Sequence, residues 1–434
     1  MKEIQQGESL LIRDVEVRRA RVNIRVEGGR IAAIGADAGG EAAVVIEGRG
    51  AVALPGLYNT HTHAAMTLLR GYADDMPLHD WLSTKIWPLE AHLTGEDVYW
   101  GTKLACLEMI RSGTVAFNDM YFFMEDAARA VDEMGMKAQL AYGFIDLFDE
   151  EKREKEIKAT EKTVAAIKKR GNPRIRAAVG PHAVYTVSPE GLRWCAEFSR
   201  QQNIGIHVHL SETDQEVKEC VEKTGMRPPA LLDKCGCINP RTVAAHCCWL
   251  DTADCTLLGD RGAYASHNPT SNMKLAVHRA MPYAWLKDAG AGVCLGTDGC
   301  ASNNNQDMFE EMKFAALLQK FFWNSQTLLP AEQALAMATA NGAAAMGFDG
   351  GRLEKGAAAD IVLLDRNAVC NTPLHNPVSN AVYSCNGSAV TTVLCQGRIL
   401  MQDRLVPGEE EILAGARTAA ASLLARAAES QTEE

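Results

Sequence analysis

The sequence predicts an α/β protein, a (β/α)8 TIM-like barrel carrying a small β-sandwich domain built from both termini. Two observations lead there. Strand-like apolar runs alternate with amphipathic helical patterns through the middle of the chain, eight strands in all, and short strand-and-turn texture occupies both ends. A third narrows the choice: no G-x-G-x-x-G follows an early strand, which disfavours an open dinucleotide-binding sheet. The expected division is 1–54 with 350–408 for the small domain, 55–349 for the barrel, and 409–434 for a C-terminal helix and tail.

In chain order, the first flank reads as strands at Leu10 to Val15, Arg21 to Val26, Arg30 to Gly35 and Ala43 to Glu47, punctuated by Gly28-Gly29 and Gly39-Gly40. The texture returns at Asp360 to Asp365, Ala389 to Gln396 and Arg398 to Gln402. Each flank is too short for a core of its own, so the two are expected to share one sheet. The barrel strands are expected at Val52 to Tyr58, Thr114 to Asn118, Lys137 to Phe144, Arg174 to Val179, Gly205 to Leu210, Thr242 to His246, Gly262 to His267 and Gly292 to Gly296. Helices fall between them, for example at Asp97 to Arg111, Glu150 to Arg170 and Gln306 to Gln319. The charge run Asp149 to Glu156 reads as a solvated helix face, and Glu409 to Arg426 as a surface helix with a frayed end at Glu429 to Glu434.

Composition excludes several classes of function. No apolar run approaches the ~20 residues that span a bilayer, and the first eight residues carry no secretory leader. A cytoplasmic protein is expected. Its 13 cysteines fit a reducing compartment, and Cys235, Cys237, Cys247 and Cys248 lack the spacing of a structural zinc site, so they read as packing residues. A net charge of −11 argues against a nucleic-acid partner. The expected partner is a small molecule, uncharged or zwitterionic, and the expected assembly a homo-oligomer.

In a barrel the C-terminal strand ends converge and carry the chemistry. The first of these presents His61 and His63 just past Pro55-Gly56, the fifth His209 with Glu212 three residues on, the sixth His246 and the eighth Asp298. Three imidazoles and a carboxylate with room for water make a catalytic zinc set. Zinc would make water nucleophilic at neutral pH, Glu212 is placed to shuttle its proton, and His246 and Asp298 to orient it. The fourth strand end offers His182 and no lysine of the kind that bridges two ions, so a single metal is expected. His207 reads as a deeper, hydrogen-bonded residue and His267 as part of a polar turn, while Trp81, Trp87 and Met120 are candidates to wall a cavity for a flat ring.

With these residues assembled, the chain closely resembles the amidohydrolase superfamily. Within it the sequence looks like the 5'-methylthioadenosine/S-adenosylhomocysteine deaminases and their relatives, the 5'-deoxyadenosine deaminases and triazine hydrolases. The resemblance runs from Leu54-Pro-Gly-Leu-Tyr-Asn-Thr-His-Thr-His63 through Ile86-Trp-Pro-Leu-Glu90, Gly180-Pro-His182, His209-Leu-Ser-Glu212, Ala244-Ala-His246 and Gly296-Thr-Asp-Gly299 to Gly351-Arg-Leu-Glu-Lys-Gly356. It implies one Zn2+ per subunit, iron or manganese being alternatives, on His61, His63, His209 and Asp298. It also implies proton transfer by Glu212, assistance by His246, a grip on the ribose hydroxyls by Glu90 and contact with the nucleoside by His182. The implied reaction is hydrolytic deamination at adenine C6 of 5'-modified adenosines (5'-methylthioadenosine, S-adenosylhomocysteine, 5'-deoxyadenosine, adenosine). The alternatives are another amino- or chloro-heterocycle, such as guanine, a pterin or a triazine, and a non-catalytic barrel. Relatives that take S-adenosylhomocysteine use an arginine just after the third strand; here Tyr142 stands there and Arg153 lies nearby, which favours uncharged 5' groups.

Overall fold

A computed structural model describes residues 9–433. Residues 1–8, on which the expected absence of a leader rests, lie outside the described chain, as does Glu434 of the expected frayed end. Eight parallel strands, Leu57–Thr62, Thr114–Tyr121, Lys137–Phe144, Ile175–Pro181, Gly205–Leu210, Thr242–His246, Tyr264–His267 and Gly292–Leu295, are hydrogen-bonded in sequence order. They are buried almost throughout, as strands covered on both faces must be. The first and eighth meet at a seam: the Asp298 N–H donates to the His61 carbonyl at 2.9 Å, and the Thr60 hydroxyl to the Leu295 carbonyl at 2.9 Å. Asn59 completes it, accepting the Thr297 N–H at 3.0 Å and donating to the Thr297 hydroxyl at 2.7 Å. Gly296 permits that closeness, since a Cβ there would lie 2.8 Å from the His61 backbone nitrogen.

Short polar residues cap the surrounding helices. Thr94 and Asp97 form a reciprocal capping box at Gly95–Arg111, and Asp149, Ser188, Thr213, Asp251 and Asp307 cap the helices that follow them. Asp307 therefore starts its helix at Met308, two residues past the expected start at Gln306, and the helix runs on to Phe322.

One strand expectation is corrected. Val52 to Tyr58 is not a single strand: Val52–Pro55 lies in the second sheet, and the barrel begins at Leu57. Gly56 is the joint, its N–H donating to the Asp360 carbonyl at 2.9 Å while the next N–H, of Leu57, turns to the Gly113 carbonyl at 3.0 Å. The second sheet draws on both ends of the chain, with Arg398–Met401, Val390–Cys395, Ile361–Leu364, Val52–Pro55, Leu10–Val17, Ala20–Glu27 and Arg30–Gly35 in that spatial order and Val44–Glu47 paired to Leu10–Val17.

Asp360 ties the two sheets together. Fully buried, it accepts from Lys137 Nζ at 2.5 Å, from the Tyr58 hydroxyl, and from the Gln396 N–H at 2.7 Å. The C-terminal helix, Glu409–Glu433, extends past the expected end and is clamped to the helix Gly95–Arg111 by Arg111 with Glu409 at 2.6 Å and by Arg426 with Asp97. Among the described residues no helix is long and apolar enough to cross a membrane.

Candidate metal centre and active site

The barrel gathers His61, His63, His209, His246 and Asp298 into one cluster. Two triads that share His61 each have ligand atoms within 4.8 Å of one another: His61 with His209 and His246, and His61 with His63 and Asp298. Asp298 Oδ1 lies 3.2 Å from His61 Nε2 and 3.4 Å from His63 Nε2, and the Nε2 atoms of His63 and His209 are 3.3 Å apart. A tetrahedron with ~2.0 Å metal–nitrogen bonds has edges of about 3.3 Å, so these separations fit one divalent ion. His61 Nε2 supports the fit, being buried without a hydrogen-bond partner.

Each donor is held from behind. His63 Nδ1–H donates to the Met120 carbonyl at 2.6 Å and His209 Nδ1–H to the His182 carbonyl at 2.8 Å, which turns both Nε2 lone pairs inward. Asp298 Oδ2 accepts from Ser271 at 2.6 Å and Ser302 at 3.0 Å, while Oδ1 accepts the Gly299 N–H at 2.9 Å and faces the cluster. Although burial opposes it, the facing imidazoles of His61, His246 and His63 hold the Asp298 carboxyl well below its usual range. His246 is flanked at Nδ1 by the amides of Asn272 at 2.9 Å and Asn268 at 3.3 Å. His246 and Asp298 both have positive φ, 72° and 65°, strained conformations of the kind that gather at functional sites.

Glu212 faces His246, its Oε1 3.7 Å from Nδ1. Burial above all, then the charges of Asp298 and Glu216, push the Glu212 carboxyl well up, as suits a group that holds and passes a proton. Glu216, not picked out from the sequence, accepts the N–H groups of Ser211 and Glu212 at 2.8 Å each. A signal was there: Thr213-Asp-Gln-Glu216 has the spacing of a helix-start box, in which the acid three residues on reaches back to free N–H groups.

A cavity of about 790 Å3 of empty space, part of it open to solvent, is lined by His63, His209, His246, Asp298, Glu212, His182 and Glu90. Trp81, Trp87 and Met120 also wall it, as their place in the sequence suggested, with Leu78, Leu82 and Phe122. Glu90 sits at the end of a strap of three short helical turns from Leu78 to Glu90, the middle one a π turn. The Tyr121 hydroxyl donates to Glu90 Oε1 at 2.6 Å; burial raises the Glu90 carboxyl to about 7 against the pull of Tyr121 and His63. Burial and then the neighbouring His63 and His61 lower His182 to about 3, so it is neutral.

Four other residues lie off the cavity. His207 is fully buried behind His61. His267 is likewise buried, against Gln319 at 3.3 Å. Tyr142 is hydrogen-bonded to Glu156, so the charge run is not wholly solvated: Glu156 turns inward from it. Arg153 pairs weakly with Glu150 at 3.9 Å.

The family described as "Amidohydrolase family" matches residues 52–400, from the strand before the His–Asp cluster to the last strands of the second sheet. The chain belongs to the amidohydrolase family. A 5'-deoxyadenosine deaminase of Methanoregula boonei is 67% identical over 388 residues, 89% of this amidohydrolase and 88% of that protein. A 5-methylthioadenosine/S-adenosylhomocysteine deaminase of Archaeoglobus fulgidus is 47% identical over 90% of this chain and 92% of its own. Among solved structures, an adenosine deaminase from Xanthomonas campestris with bound zinc superimposes with a TM-score of 0.90 at 34% identity, covering 96% of this amidohydrolase and 98% of that chain.

Proposed function

We propose that this amidohydrolase uses one zinc ion to remove the C6 amino group of 5'-modified adenosines as ammonia, with 5'-deoxyadenosine and 5'-methylthioadenosine ahead of S-adenosylhomocysteine. One observation carries the reading: Glu212, His246, His182 and Glu90 line a single cavity together with His63, His209 and Asp298 of the cluster. The high identity to a protein named as a 5'-deoxyadenosine deaminase supports the substrate class.

In this reading His61, His63, His209 and Asp298 hold the ion, and His246, fixed between two amides and facing Glu212, is left to steady the attacking water. Bound zinc supplies a Lewis acid that makes water nucleophilic near neutral pH. Glu212 passes a proton to adenine N1 as water adds at C6, and ammonia leaves when that carbon becomes a carbonyl. The neutral His182 hydrogen-bonds the nucleoside. Glu90 grips the ribose with the acceptor capacity that Tyr121 leaves free. The apolar strap residues Leu78, Trp81 and Leu82 exclude water from the ring. With 13 unpaired cysteines, the chain suits the reducing cytoplasm, and we expect it to assemble as a homo-oligomer.

The test is ammonia release by zinc-replete protein offered 5'-deoxyadenosine, 5'-methylthioadenosine, S-adenosylhomocysteine and adenosine in competition. Release from the first two, and its loss in Glu212→Gln, is expected. No release from any adenosine, or an undiminished rate in the variant, would remove the proposal.

A further inference from the structure

The ligand histidines are not all held alike. His63 and His209 rest their Nδ1–H groups on backbone carbonyls, whereas His61 turns Nδ1 to another imidazole, the Nε2 of His207, at 2.8 Å. The two rings stand at 90° with centroids 5.0 Å apart, and both are fully buried. A carbonyl oxygen accepts over a broad range of directions. An imidazole nitrogen has a single in-plane lone pair and accepts only while it carries no proton. If Nε2 of His61 gives its lone pair to a metal, the ring proton must sit on Nδ1 and point at His207. His207 must then be bare at Nε2 and carry its own proton on Nδ1, a buried atom, with the backbone of Asp119 beside the ring.

We infer that His207 is a positioning residue for the metal centre: it sets the tautomer and ring orientation of His61 and, through them, the affinity of the site for its ion. It does not line the substrate cavity. The inference rests on the cluster holding a divalent ion and is independent of which heterocycle is deaminated.

The experiment is a zinc titration of metal-stripped protein against a chelating dye, for wild type, His207→Leu and His207→Gln. Leucine removes the acceptor and is expected to weaken zinc binding by about 10- to 100-fold; glutamine, whose amide oxygen accepts from His61, stays within about threefold of wild type. The visible spectrum of the cobalt-loaded proteins should shift for leucine and hold for glutamine. Equal losses in both variants, or wild-type affinity in a folded leucine variant, overturn the inference. Should the leucine variant not fold, nitrogen-15 histidine spectra of zinc-loaded wild type decide: a proton on Nδ1 of His207 is expected, and one on Nε2 overturns it. Wild-type protein that takes up no zinc overturns it as well. Zinc binding with the expected variant pattern but no ammonia release leaves it standing and removes the deaminase reading alone.

Discussion

The carboxylate of Glu216 accepts the backbone N–H of Glu212 at 2.8 Å, and its other oxygen accepts that of Ser211 at 2.8 Å. Ser211 has φ +50°, so the turn that aims Glu212 at the cavity is strained and leans on these two bonds. Glu216→Gln offers an N–H where one of them needs an acceptor, at a cost of about 1–3 kcal/mol. Its thermal midpoint should fall by several degrees and kcat by about tenfold or more, with KM moving less. Calorimetry and steady-state ammonia release measure both.

Glu212 itself should behave in the opposite sense. Its raised carboxyl binds a proton more tightly folded than unfolded, so it costs the metal-free protein stability as pH rises above the unfolded value of about 4.3. Glu212→Gln cannot titrate. In metal-free protein the variant should gain on wild type in melting temperature from pH 5 to pH 8, while metal-replete variant loses about 10²- to 10⁴-fold in rate.

Glu90 should write itself into the pH profile. With its carboxyl at about 7, the ionised fraction of free enzyme climbs about tenfold between pH 6 and pH 8, and kcat/KM for a nucleoside should climb with it. Glu90→Gln should abolish that limb. Tyr121→Phe removes a donor that favours the ionised form and should move the limb to higher pH.

Away from the site, Lys137→Met takes the cation from the fully buried Asp360 carboxylate and leaves it only the Tyr58 hydroxyl and the Gln396 N–H. The expected loss is about 3–5 kcal/mol in chemical denaturation, with zinc stoichiometry unchanged in the protein that folds.

Much of the site was legible because metal chemistry needs a few residue types, and a barrel brings them to known places. His61, His63, His209, His246, Asp298 and Glu212 could each be picked out from a strand end. The supporting contacts were less so, because they depend on side-chain reach. Tyr142 bonds Glu156 from the helix that follows its strand, and Tyr121 meets Glu90 from a different strand–helix unit. The strap from Leu78 to Glu90 has no single periodicity of its own, since Pro77 bounds it, Pro88 falls within it and its middle turn is a π turn. The split of the strand at Gly56 was half legible: the domain division at 54/55 cut the expected strand, yet Val52–Pro55 and Leu57–Thr62 are both apolar at their junction and read as one run, though they serve different sheets.

His61 and Asp298 stand on opposite edges of the seam where the cylinder of strands closes. An ion gripped by both would work as a hoop on a cask, fastening the first stave to the last. Stripping it should loosen the wall before any helix melts, and the amides of residues 57–62 and 295–299 should be the first to exchange their hydrogens with solvent.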